Sequence, residues 1–224
     1  MAISFVNDWH QAHAEVATYD VPVPAAGVAQ GHTIICSTVC STTSISGVAI
    51  TDDKGNSYAL RESSEDASNV VGVAVLSGYM NTALVNGDEL HVVLTGHIGG
   101  DFYFSEWSGL AAASFDKSSP GATPFDNTYT SGATATTTSS NELLFGAVGT
   151  RHPPLTITPD SPWDELQNID NGTDCMHVVQ SRIVSATGAY AATGTINVDT
   201  ASVAVIATFA ADDAEAGFVW LGTL

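Results

Sequence analysis

Two-residue alternation, repeated from Glu15 to Leu224 and interrupted every few residues by turn chemistry, constrains this chain more than any other feature. Val71, Val73 and Val75 share one parity. Leu90, Val92 and Leu94 do the same, and Phe102 and Phe104 alternate with Tyr103 and Ser105. Successive side chains of an extended chain point to opposite faces, so such runs predict strands with one buried face. Outside a turn within Asn7 to His13, no stretch keeps the period of an amphipathic helix. Thr33 to Thr38 is β-branched and apolar and reads as a buried strand, while Pro22 and Pro24 close an edge strand. Asp52-Asp53-Lys54-Gly55-Asn56 reads as a hairpin with Gly55 at the position that needs positive φ. The count is about thirteen strands, which predicts an all-β fold: two antiparallel sheets packed as a jelly-roll-like β-sandwich. Residues 1–14 read as an N-terminal arm or turn. Residues 15–224 read as a single domain, with a Ser/Thr/Ala-rich connection near 111–140.

The chain has 224 residues and is 44% hydrophobic, enough for a sizeable core. Its charge is lopsided: 24 acidic against 5 basic residues, a net charge of −19. So few cations disfavour a nucleic-acid backbone, and the negative charge disfavours anionic membrane surfaces. Three readings fit the imbalance: solubility by self-repulsion, adaptation to high salt, and a divalent-cation requirement. Met1-Ala-Ile-Ser-Phe-Val lacks a basic start, and Asp8, His10 and His13 interrupt any apolar run, so an export signal is not expected. No window is long and apolar enough for a transmembrane helix. Cys36 and Cys40 share strand parity but lie about 13 Å apart on an extended strand, too far for a disulfide. Three buried free thiols, Cys175 included, are expected.

The motifs that carry chemistry are weak. His10 and His13 pair as metal ligands only on a helix, and as surface histidines otherwise. Asp52 to Asn56 lacks the bidentate Glu of a calcium loop. Asp170-Asn171-Gly172-Thr173-Asp174 is a second acidic turn, able to hold Ca²⁺ or to serve as a plain Asn-Gly hairpin. No other cofactor and no metal-ligand set is predicted. Glu106 and Glu142 are the candidates for a facing pair of acids in glycan cleavage. No nucleophile elbow, phosphate loop or zinc-protease motif is present, so the chain reads as non-enzymatic. Tyr103, Trp107 and Trp163 are the candidates for stacking on sugar rings, against core packing as the alternative.

Val48 to Tyr58, Phe102 to Leu110, Asn141 to Gly146, Tyr190 to Thr195 and Val203 to Phe209 together resemble a β-sandwich module of bacterial and archaeal surface proteins and of tailed-phage virion proteins. The resemblance implies a structural role at a virion surface, as a capsid decoration or other accessory protein made in the host cytoplasm. The implied partners are identical copies in a symmetric homo-oligomer and the major capsid or other virion proteins. Phe5, Val6 and Trp9 at one end, and Phe218, Val219, Trp220 and Leu221 at the other, are the expected assembly contacts. The alternative is an extracellular carbohydrate- or receptor-binding module that meets host-surface glycans.

Overall fold

The computed structural model describes residues 1–13, 17–42, 45–66, 71–94, 97–151, 155–170 and 175–212. The strands are β1 (Ser4–His13), β2 (Thr18–Pro22), β3 (Thr33–Thr42), β4 (Ala49–Asp52), β5 (Tyr58–Glu65), β6 (Gly72–Tyr79) and β7 (Glu89–Val93). They continue as β8 (His97–Ser108), β9 (Leu110–Thr130), β10 (Glu142–Arg151), β11 (Ile157–Pro159), β12 (Asp164–Asp170), β13 (Cys175–Val184) and β14 (Thr193–Ala211). A central sheet runs β1-β8-β3-β6-β5, and a small sheet runs β2-β7-β4. The C-terminal sheet runs β11-β14-β10-β13-β12, with β9 also paired to β14. The fold is an antiparallel all-β sandwich, as the alternation predicts. The small sheet adds a third layer to the two expected.

That third layer explains why β3 reads as continuously apolar. Ile35 and Val39 face the C-terminal sheet, where Leu143, Phe145, Val179, Val205 and Phe209 meet them. Ile34, Cys36 and Cys40 face the small sheet, against Val21, Ile50, Leu90 and Val92. A strand buried on both faces needs apolar residues at both parities. The three cysteines are buried as expected, and Cys175 lies on the opposite side of the central sheet from the other two.

Three expectations change. The segment read as an arm or turn is strand β1, paired in register with β8. Two aromatic contacts fix it there: Trp9 stacks on Phe104 at 5.3 Å, and Phe5 meets Trp107 edge-on at 5.3 Å. Asp52 to Asn56 does not close a hairpin, because β4 pairs with β7 and β5 pairs with β6. It is the corner where the chain changes sheets, with Gly55 at φ 73°. The Asp52 carboxylate accepts from the Lys54 and Asn56 amides (2.9 and 3.0 Å), the Asn56 side chain (2.9 Å) and the Tyr58 hydroxyl (2.9 Å). Lastly, most of the supposed connection near 111–140 is the 21-residue strand β9.

The outer face of the C-terminal sheet is covered by its own connections. Ser131, Thr134 and Thr137 are buried at every third position. Each donates its amide to a carbonyl of the segment 188–192, and each accepts the returning amide on its hydroxyl. Three residues on one side match two on the other, as if every step carried a bulge. Ser and Thr supply an acceptor where the carbonyls fall out of register.

The two sides of the sandwich differ. On one side β5 and β9 are tied together: Ser64 donates to the Gly121 carbonyl (2.9 Å) and Ser118 to Glu62 (2.8 Å). Arg61 also lies over the Phe115 ring at 4.9 Å. On the other side, where β1 and β12 are the edges, the sandwich is open.

Candidate functional site

The open side is a groove of about 590 Å³ lined by Phe5, Trp107, Pro162, Asp164, Leu166, Ser181, Arg182 and Ile183. Its β1 wall depends on one extra residue. The register shifts between Phe5 and Asn7, so Val6 has no partner on β8. Directly opposed residues of an antiparallel pair share a face. Phe5 therefore sides with Trp107 toward the groove, while Trp9 sides with Phe104 toward the small sheet. Without the bulge at Val6, both aromatics would fall on one face. Phe5 and Val6 stay 42% and 45% exposed, and Ile183 across the groove is 50% exposed. Asp164 and Arg182 supply the rim with one charge of each sign, and Arg182 also lies 5.9 Å from the Tyr190 ring. The chemistry offered is an apolar, aromatic-edged cleft beside a ten-residue strand edge that is unpaired among the described residues.

Phe5 and Val6 are thus placed together at this edge, and Trp9 is packed behind it. Phe218, Val219, Trp220 and Leu221 lie outside the described residues. The sugar-stacking trio does not come together. Tyr103 is fully buried and donates its hydroxyl to Asp8 (3.0 Å); burial, and then the Asp8 carboxylate, pushes its phenol pKa up. Trp107 is 2% exposed, its indole N–H donating to Ser105 (2.9 Å). Trp163 is half-buried against Leu144, Val184, Ala192 and Ile206. Core packing claims the first two because their parity faces between the large sheets.

The two candidate acids also lie apart. Glu106 has the parity of Phe102 and Phe104, accepts the Ala29 amide (3.0 Å) and sits 2.6 Å from His32 Nδ1. Glu142 is on the outer face of the C-terminal sheet, where burial pushes its carboxyl above the usual range. His10 is on a strand, so the helical pairing with His13 does not arise. Most of the Asp170 to Asp174 turn lies outside the described residues.

Sequence reading missed two polar clusters. Ser37 Oγ lies 3.0 Å from His177 Nε2, and His177 Nδ1 lies 3.5 Å from Asp101 Oδ2. All three are fully buried between the large sheets, so the serine has no open face to a substrate. Asp101 reaches the surface through His10, at 3.5 Å. The chain of contacts ties β3, β8 and β13 together. Its signal was polar residues at core-facing parity, Ser37 between Ile35 and Val39 and His177 between Cys175 and Val179. The second cluster is on the exposed face of the small sheet. Asp20, Glu89 and His91 bring one ligand atom each within 4.8 Å of one another and are the residues that could hold a cation. His91 already contacts Asp20 through Nδ1 (2.7 Å) and Asp53 through Nε2 (3.0 Å). These carboxylates raise its pKa, and His91 in turn, with the Glu89 amide, lowers that of Asp53.

Comparison of the chain with family models, with curated proteins and with solved structures finds no match in any of the three.

Proposed function

We propose that this chain is a non-enzymatic structural protein that assembles with copies of itself through the β1 edge. The observation that carries the proposal is the edge of β1, which no described strand pairs, with Phe5 and Val6 exposed beside the groove, while the β5–β9 side is tied shut. A long edge strand with outward apolar residues is a template for pairing with another chain. Pairing of β1 with β1 of a second copy is self-complementary, which closed two-fold symmetry requires. In line with the sequence resemblance, the proposed setting is the surface of a tailed-virus particle, as a capsid decoration or related accessory protein bound to capsid or other virion proteins. The carbohydrate-binding alternative has less to stand on, since Tyr103 and Trp107 are in the core.

Light scattering on the full-length chain tests the reading. A discrete oligomer is expected, and Val6→Lys is expected to reduce it to the monomer mass, because a lysine charge on an edge strand opposes its pairing with another chain. A monomer at every concentration, or an oligomer indifferent to Val6→Lys, overturns it.

A further inference from the structure

We infer that the C-terminal segment 213–224 of the same copy fills the groove between β1 and β12. This does not rest on the assembly reading. The groove has an apolar floor and wall in Trp107, Leu166, Pro162, Phe5 and Ile183, of which Phe5 and Ile183 are partly open to water. A volume of about 590 Å³ is in the range of sites that bury a ligand.

The chain reaches its last described residue next to Met1, just before the start of β1, whose Phe5 is part of the groove wall. Ala211 pairs with Leu110, and the Asp212 amide donates to the Gly109 carbonyl (2.8 Å). The Met1 ammonium donates to the Asp212 carbonyl (2.5 Å). Ser4 and Phe5 then pair with Ser108 and Trp107. Phe5 is four residues from Met1, so the groove wall begins about 13 Å from Asp212 along β1. Asp213 to Gly217 is a short polar and small-residue spacer, and Phe218-Val219-Trp220-Leu221 follows it. Six residues span up to about 20 Å, so Phe218 reaches the groove.

Composition fits the site. Four consecutive large apolar residues match an apolar cleft, and Asp213 and Glu215, which precede them in the sequence, have the charge that Arg182 on the rim attracts. Asp164 on the same rim opposes them, so the apolar contact carries the docking and the charges set its direction. A segment tethered this close sees its groove at an effective concentration in the millimolar range, which favours its own copy over a neighbour's.

Crosslinking of the full-length chain tests the inference. Ile183→Cys is combined in turn with Phe218→Cys, Val219→Cys, Trp220→Cys and Leu221→Cys. Phe125→Cys, on an exposed position of β9, replaces Ile183→Cys in the control. The three natural cysteines are buried and do not compete. Mild oxidation is expected to give an intrachain disulfide with Ile183→Cys in at least one pairing and none with the control. No link, or only interchain dimers, overturns the inference, the latter by assigning the groove to a neighbour's segment. As a second readout without new thiols, Ile183→Glu is expected to speed proteolytic removal of the segment about tenfold, against no change for Val198→Glu. Equal rates overturn it. The mass of each sample, read separately by light scattering, tells failure of this docking apart from failure of assembly.

Discussion

Single side chains decide the local geometry at several places. Asp52 spends its carboxylate on four donors, which turns a calcium-like sequence into a sheet-changing corner with no lone pair left for a cation. Gly149 is a second case: a Cβ there would meet Val39 Cγ2 at 2.6 Å, so the central and C-terminal sheets approach where no side chain fits. His91 gives a pH-dependent contribution with a definite sign. Its pKa is raised, first by Asp20 and then by Asp53, so the stabilisation is complete below its unfolded value of about 6.5 and is lost as pH rises through the folded value. Urea unfolding of His91→Gln is expected to show a larger loss of midpoint relative to the unmodified chain at pH 5.5 than at pH 8.5. The cluster is exposed, so the difference is small and disappears in about 1 M salt. Asp116 acts at the acid end. Burial opposes its ionisation, but hydrogen bonds from Lys117 and Thr138 outweigh it and hold the carboxyl at about 2. Its contribution is present above about pH 3.8 and is lost as pH falls from there through about 2.

Elements built on the same alternation have different fates here. β3, β6 and β8 are covered on both faces, β1 on one edge only, and β9 binds both its own sheet and β5. The bulge at Val6 lets one strand supply an aromatic to each side of the central sheet. The segment after β9 shows how a low-complexity sequence encodes order. In Ser131-Gly-Ala-Thr-Ala-Thr-Thr, the hydroxyls at 131, 134 and 137 are the acceptors for the amides of Ala192, Tyr190 and Gly188. Thr134→Val keeps the shape and removes one acceptor, leaving the Tyr190 amide unpaired. A loss of about 1–2 kcal/mol is expected by chemical denaturation. Thr136→Val, at an exposed position of the same tract, is expected to cost almost nothing.

At the scale of the whole molecule, charge and shape act together. Copies carrying −19 each repel one another, and the repulsion is screened within about 8 Å at physiological salt. If the β1 edge joins copies, raising salt from about 0.05 to 0.5 M should strengthen association. Dissociation constants from sedimentation at the two salt concentrations check this, and weaker association at high salt would point to contacts made by ion pairs instead.

The all-β class, most strand positions and the burial of the three cysteines were legible in the order of residues alone. These follow from a period of two and from residue polarity, which are local properties. The open groove was only half legible: Phe5 and Val6 stood out as apolar residues near one end, but their neighbours Leu166, Arg182 and Ile183 come from the far end of the chain. Folding settled which sheet each strand joined, since the corner at Asp52 to Asn56 has the turn chemistry of a hairpin. It also decided that Tyr103 and Trp107 are core, that Ser37, Asp101 and His177 meet, and that one side of the sandwich closes while the other stays open. Those facts depend on which faces oppose each other across many residues, and a pattern that repeats every two residues does not carry that information.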